Sequence, residues 1–584
     1  MKHLLIFILL NVYIYSQNID SVLNKKSPQL PEVGKRDSVL VDTTGTLSKR
    51  KTPVKIDTLV PLQQKPFTDN SYFIGHKTIF HYDYRSASDL LKKFPFTFIK
   101  DKGYIEPDNE TFMYGAGAGG VSFLQDGILY NDRFTNSLNL YNIQTGSVDS
   151  IEIVPSPRGF LYSISNNPVT VNFITKDYLS VTPYSRIKYY QGPSGETYVD
   201  GLFSALLLKN LNVSFDITNR NIDSSFVNSN FNMWQVKTKL KYFLSNSFNI
   251  TGSYGYIKSE MGLNGGINVD TIYKNNEDIN NTLYNDITAP VRFPSRQQEY
   301  IQHYFNIGLL SKVFNDFTVN LNFYFRFNQD KVSGIDSSIS EMKNKNKIYG
   351  INLREEFSKD LLKISLLGNF EHIKYNTSSI IDSVYKINSN NLNNFSLASI
   401  VSLNLLDGKL TPSIFYKYFK GKDFYLLDNN LNGFGADVAC NFDDNFKFYL
   451  DYKFKEILIE TSGEYYLNPE ADFKNLMPGL NFMSGIYYKN ILFNNNLNLK
   501  TGFTFYFTGK QNLLPVYSPG VLSYFNNEIS QSLNVDFTLV GEIRKVAIVY
   551  FTWENLFNKE YFITPFYPMW SRGIRFGLGW ELFN

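Results

Sequence analysis

From residue 178 to the end of the chain, apolar and polar positions alternate with a period of two. Leu211, Val213, Phe215 and Ile217 are interleaved with Asn212, Ser214, Asp216 and Thr218. Val319, Leu321, Phe323, Phe325 and Phe327 alternate with Asn320, Asn322, Tyr324, Arg326 and Asn328, and Phe446, Phe448, Leu450, Tyr452 and Phe454 with Lys447, Tyr449, Asp451, Lys453 and Lys455. Leu497, Leu499, Phe503, Phe505 and Phe507 repeat the pattern against Asn498, Lys500, Thr504 and Tyr506. Successive side chains of a strand point to opposite faces, so each run predicts a strand with one greasy side. The runs last about 8 to 11 residues, the length a tilted strand needs to cross a hydrocarbon layer. Turns such as Asp407, Gly408 and Lys409 lie between them, which predicts antiparallel hairpins.

A soluble sandwich shows the same alternation. Against it stand a region of about 400 residues without a domain break and a final strand with nothing after it. In that strand Ile574, Phe576, Leu578, Trp580 and Leu582 face one way, and Arg575, Gly577, Gly579 and Glu581 the other. In lipid every backbone donor and acceptor must be satisfied within the sheet, so such a sheet has to close on itself. The expected fold is therefore all-β: a closed antiparallel transmembrane barrel over 178–584. Twenty-two strands would leave roughly 18 residues per strand with its turn, which requires short loops, and a smaller even number fits as well.

Upstream the pattern changes. Residues 80–177 read as a compact α+β unit. Leu90, Leu91 and Phe94 behind Ser86 and Ser88 predict a short helix over 88–94, and strands are predicted at 121–124, 151–154 and 169–174. Residues 18–79 are rich in Ser, Thr, Pro, Asp and Lys, with too little apolar surface to offset ordering, and are expected to form a flexible arm. Residues 1–17 begin Met1, Lys2, His3, continue with an apolar run too short to span a bilayer, and end at Ser16 and Gln17. This is a secretory signal peptide rather than a lone anchor, and no cysteine follows it to carry a lipid.

Composition sharpens the class. Hydrophobic residues are 43% and charged residues 19% of 584, aromatics are 16%, with 41 Tyr and 50 Phe, and the net charge is +3. Aromatic strands with polar turns suit a barrel with aromatic girdles, and near-neutrality without a basic block excludes nucleic acid as a partner. Cys440 is alone and forms no internal disulfide.

Several motifs, in order, resemble the TonB-dependent outer-membrane receptor family. Ser88 to Pro95 (S-D-L-L-K-K-F-P) is similar to its opening plug helix, and Phe123 to Asp132 (F-L-Q-D-G-I-L-Y-N-D) to its L-x-D-G-x-x-x-N-D strand and turn. Ile151, Glu152, Ile153 and Val154, then Pro157, Leu161, Tyr162 and the run from Val171 to Lys176, resemble its I-E-V, P, L-Y-G and I-N-I-I-T-K elements. Glu554 to Tyr561 resembles the N-L-F-D-K-x-Y element, and Ser571, Arg572, Gly573 and the strand with Phe576, Trp580 and Leu582 its closing sequence. The chain departs where Pro155, Ser156, Pro157 replace R-G-P, where Ser163 follows Leu161 and Tyr162, and where Pro168 and Val169 replace a glycine pair. The resemblance implies a plug inside the barrel, with Asp126, Gly127, Glu152, Pro157, Tyr162, Asn172, Thr175 and Lys176 as plug-motif residues. It also implies outer-membrane lipids, the barrel assembly machinery, a small ligand and a TonB-like inner-membrane energy-coupling protein as partners. Asp57, Thr58, Leu59 and Val60 resemble the TonB box that such a protein grips, and Asp37 to Val41 is a weaker second candidate.

Enzyme chemistry has little support. The five histidines are dispersed, and His76 with His81 lack a zinc spacing. The glycine-rich run from Gly115 to Gly120 lacks the Lys-Ser or Lys-Thr of a phosphate loop and suits a bend in a plug strand beside the wall. No G-x-S-x-G nucleophile elbow occurs. No cofactor and no metal are expected. The expected function is import of a scarce nutrient by energy-coupled plug movement. An uncoupled, passive plugged barrel is the alternative, and an outer-membrane enzyme or adhesin the third possibility.

Overall fold

The computed structural model describes Leu62, Pro66, Phe67 and most of residues 71–583, with its longer breaks at 104–109, 423–429, 441–451 and 466–476. The TonB-box candidate 57–60, the second candidate 37–41, the signal peptide 1–17, the turn 407–409 and most of the predicted strand 446–455 lie outside the described residues.

Two β systems dominate the molecule, beside three two-stranded sheets. The smaller is a five-stranded sheet in the order Tyr72–Ile74, Val148–Val154, Val169–Thr175, Val121–Gln125, Ile128–Leu129. The three predicted strands are all present. All its pairings are antiparallel except that of Val121–Gln125 with Val169–Thr175. The predicted helix appears as Ala87–Leu91, started by Ser86, whose side chain accepts from the Ser88 N–H. Its Leu90 and Leu91 pack with Ile151, Ile153, Val171 and Phe173 in a fully buried apolar core. The boundary at residue 79 needs correcting. Tyr72–Ile74 pairs with residues 151–153, so the small sheet starts seven residues before the position where the flexible arm was expected to end. Three residues in a polar stretch carry no periodicity, and only their distant partner makes them a strand.

The larger system is an antiparallel sheet built from the alternating region. Its described pairings run strand to strand from Leu431–Cys440 back to Tyr184–Gln191, across to Gly573–Phe583, and on to Tyr452–Phe454. The last strand thus meets the first, with Phe576 opposite Gln191 and Phe583 opposite Tyr184. Strand length varies widely: Ile339–Lys359 has 21 residues, Leu362–Ile381 and Val384–Leu403 have 20, whereas Tyr184–Gln191 and Ala547–Glu554 have 8.

Burial along these strands is inverted relative to a soluble sheet. In Leu211–Ile222 the polar Asn212, Asp216, Thr218 and Arg220 are buried, while Phe215 is 40% exposed. In Gly573–Phe583 Arg575 is 4% exposed, whereas Phe576 and Trp580 are each 49% exposed. The expected greasy sides are present, and they face away from the plug. Not all connections are short. The link between Phe248–Gly262 and Gln297–Phe314 carries two helices, Val269–Lys274 and Ile279–Leu283, and its Ile267, Ile272 and Leu283 pack against Tyr567 of another connection. Among the described residues, no helix is long and apolar enough to cross a membrane.

Candidate functional site

The plug-motif residues form one hydrogen-bonded network at the centre of the small sheet. Asp126 and Gly127 both have positive φ, 51° and 83°, and turn the chain between Val121–Gln125 and Ile128–Leu129. Two left-handed residues in succession make a hairpin turn of the type that Asp-Gly favours. The Asp126 carboxylate then accepts from the Thr175 N–H at 2.8 Å and the Thr175 hydroxyl at 2.7 Å. Gly127 N–H donates to Asn172 Oδ1 at 3.1 Å, and Asn172 Nδ2 donates to Glu152 Oε2 at 3.4 Å.

Glu152 is fully buried and has a further partner, the backbone N–H of Phe67, at 2.9 Å. The Phe67 ring stacks on Tyr162 with centroids 4.6 Å apart. Immediately before it, the Pro66 carbonyl accepts from Arg354 of the wall at 2.6 Å. Leu62 is held elsewhere on the wall, its carbonyl accepting from Lys241 Nζ and Asn249 Nδ2, both at 3.1 Å. Burial of a carboxylate is costly unless its oxygens are hydrogen-bonded, which gives Glu152 a reason to hold the incoming chain.

Around this network, charged residues of the plug reach the inward face of the wall. Arg85 bridges Glu196 at 2.9 Å and Glu554 at 2.6 Å, and Asp83 receives Arg575 at 2.8 Å. Arg133 pairs with the fully buried Glu371, and Arg158, next to Pro157, pairs with Asp437 at 2.5 Å. Asp177, where the plug leaves for the wall, takes Lys239 and, at 2.6 Å, Lys241. Burial alone would raise the Asp177 carboxyl, but these two lysines hold it well below the usual range. Asp89, in the first turn of the plug helix, is likewise held at about 2 by Lys92 and the Arg85 N–H against the opposing effect of burial. Lys176 is lowered to about 7 by burial and then by Arg186. His76 is lowered to about 4 by burial and by the nearby cations Lys176 and Arg186.

The structure thus joins Asp126, Gly127, Glu152, Asn172, Thr175 and Tyr162 into one cluster. Pro157 and Lys176 sit on its margins, and the wall residues are elsewhere. Arg572 is exposed, with its N–H on Asn558, and Gly573 lies so close to Pro193 that a Cβ would stand 2.7 Å from it. The charge pairs were not anticipated. Their signal in the sequence is a charge at an inward phase of the alternation, as with Glu371 between Phe370 and His372.

A protein-family model described as a putative porin matches residues 473–584. A search of curated proteins finds no match. Among solved structures, the copper transporter OprC aligns with a TM-score of 0.65 at 10% identity, over 90% of this chain and 99% of that one. The ferric yersiniabactin uptake receptor FyuA of Yersinia pestis aligns at 0.64 and 10% identity, over 88% and 98%. The unliganded ferric citrate transporter FecA aligns at 0.64 and 10%, over 88% and 96%. These likenesses show the fold: this chain shares the overall architecture of those three proteins.

Proposed function

We propose that this protein is an outer-membrane transporter that imports a scarce nutrient by energy-coupled movement of its plug. The observation that carries the reading is the route of the arm. Leu62 is held by Lys241 and Asn249 on the wall, and Phe67 by Glu152 in the plug centre. A pull on residues 57–60, a few positions upstream, would reach the Phe67 to Glu152 hydrogen bond within the length of one short strand. A TonB-like inner-membrane protein is the partner that would exert it, by strand addition to the arm. The transported ligand is a small molecule captured on the side of the loops, and its uptake is a gating event rather than a reaction.

The same reading makes the large sheet a closed barrel whose apolar side meets outer-membrane lipid. Its support is the pairing of the last strand with the first and the exposure of Phe576, Trp580 and Phe215 on the outer side. Hairpin turns reverse the chain at each step, and the closing pair is antiparallel, so an all-antiparallel ring holds an even number of strands. The described pairings join nineteen strands in succession, so we propose a number below the twenty-two expected. Insertion by the barrel assembly machinery and release of residues 1–17 as a signal peptide complete the proposal.

Deletion of residues 55–62 tests the coupling. Loss of nutrient-dependent growth, with the protein still inserted and heat-modifiable, is the expected result. Uptake unchanged by the deletion would leave the uncoupled, passive barrel as the better description.

A further inference from the structure

A cavity of about 170 Å³ lies beside the plug, between the segment 81–101 and the wall strands from Ile457–Tyr465 to Gly573–Phe583. Ser532, Asn534, Asp536, Thr538 and Val540 all line it. They are every second residue of Ser532–Ile543, so the cavity follows one inward strand face for eight residues, about 26 Å of chain. With the usual strand tilt of about 40°, that covers most of the roughly 25 Å apolar band of such a wall. The cavity has room for a file of several water molecules.

Its lining demands water or solute. Among the described residues, Asp83 Oδ1, Arg575 Nη1, Asn534 Oδ1 and Thr97 Oγ1 have no hydrogen-bond partner, although each of these side chains is more than nine-tenths buried or faces the cavity from within the plug. Buried polar atoms in this state are satisfied by what fills the space next to them. Different groups lie near its two extremes. Towards Val540 the passage meets the His81 to Glu542 contact at 3.0 Å and the packing of Phe80 on Val540 and Tyr550. At the other end Phe98, Phe112 and Met477 cluster with Ile563. Among the described lining residues, the carboxylates of Asp83, Asp89, Asp101, Glu464, Asp536 and Glu554 outnumber the four Lys and Arg side chains.

We infer that this cavity is a constitutive passage for small hydrophilic solutes, inorganic cations above all, that crosses the wall beside the plug while the plug stays seated. It is a second activity, separate from arm-driven uptake, and it rests on the reading that the wall spans a membrane. Cations are favoured because excess carboxylate in a narrow, poorly screened space raises their local concentration.

The test is conductance of the full chain in planar phosphatidylcholine bilayers, in KCl and without any partner protein. A small steady current is expected, with a reversal potential under a KCl gradient on the cation side. Thr538→Trp, which fills the middle of the passage, should remove most of that current and leave arm-dependent uptake intact. A short bis-maleimide bridge between Arg133→Cys and Glu371→Cys, in a Cys440→Ser background, fixes the plug away from the cavity. Current should survive the bridge, while uptake should stop. Absence of current in the unmodified protein, current insensitive to Thr538→Trp, current abolished by the bridge, or anion preference each overturns the inference. The outcomes separate the two activities: uptake that needs residues 55–62 in a protein without current refutes the passage alone, whereas failure to insert refutes the transmembrane reading and the passage together.

Discussion

The plug and the wall follow opposite rules with the same amino acids. In the plug, Leu90, Leu91, Leu124, Ile151 and Phe173 are buried, as in any water-soluble domain. In the wall, Phe215, Phe323, Phe576 and Trp580 are turned outwards, and Arg220 and Arg326 are among the largest fully buried side chains. The difference shows that the plug substitutes for water inside the ring. It offers carbonyls and carboxylates to the inward polar face, as when Arg326 donates to the carbonyls of Leu129, Tyr130 and Asn131 at 3.0 to 3.2 Å. A greasy outer face and a polar inner face on the wall are thus two halves of one design.

The strongest way to break this arrangement is at the seam. Arg85→Ala leaves Glu196 and Glu554 buried with their main partner gone, and should weaken plug seating by about 3–5 kcal/mol. The measurement is the denaturant concentration at which the plug becomes protease-sensitive while the wall stays folded. The comparison sharpens with a matched pair. Leu124→Ala should cost about 2–5 kcal/mol of plug seating, because its cluster joins the plug to Leu367, Ile400 and Phe415 of the wall. Phe576→Arg should cost about 2–4 kcal/mol of membrane insertion, read by folding into vesicles, and leave the plug core unaffected. Equal effects of both substitutions on one transition would mean that plug and wall unfold as a single unit.

Smaller effects fall on the arm. Glu152→Gln keeps the size of the side chain but weakens the hydrogen bond from Phe67, at a cost of about 1.5–3 kcal/mol for a bond to a charged group. Faster proteolysis between residues 62 and 71, with the plug otherwise intact, is the readout. The smallest effect is one of pH. His76 holds its proton less tightly in the folded plug than in the unfolded chain, so the unfolded state binds more protons between its ordinary value near 6.5 and about 4. Plug stability should therefore fall as the pH is lowered through that window, by an amount that His76→Gln reduces. An unchanged thermal midpoint between pH 7 and pH 4.5 would refute this.

Much of the fold was legible because its governing signal is local. A period of two needs no knowledge of the partner strand, and it located Leu211–Ile222, Phe317–Ser333, Leu497–Thr508 and Gly573–Phe583. The plug strands were legible from short apolar runs between turn residues. What escaped depends on distant partners. Tyr72–Ile74 becomes a strand only against residues 151–153, and Phe67 is ordered only because Glu152 is buried 85 positions away. The motif cluster around Asp126 was recognised by resemblance, and its physical role as the anchor of the arm appears only from the contacts. The helices in the connection 263–296 were missed because their apolar positions are too few for a 3.6-residue period to stand out.

A strand of 21 residues is about 69 Å long, and with the usual tilt it stands roughly 50 Å high, about twice the height of the greasy band that such walls present to lipid. A strand of 8 residues on the same basis stands about 20 Å high and does not overtop that band. Seen from the side, the molecule is therefore a slanted tower, flush with its surroundings along one arc and a tall hydrophilic parapet along the other. Large bodies drifting past would meet the parapet first, and the low arc would stay in its lee.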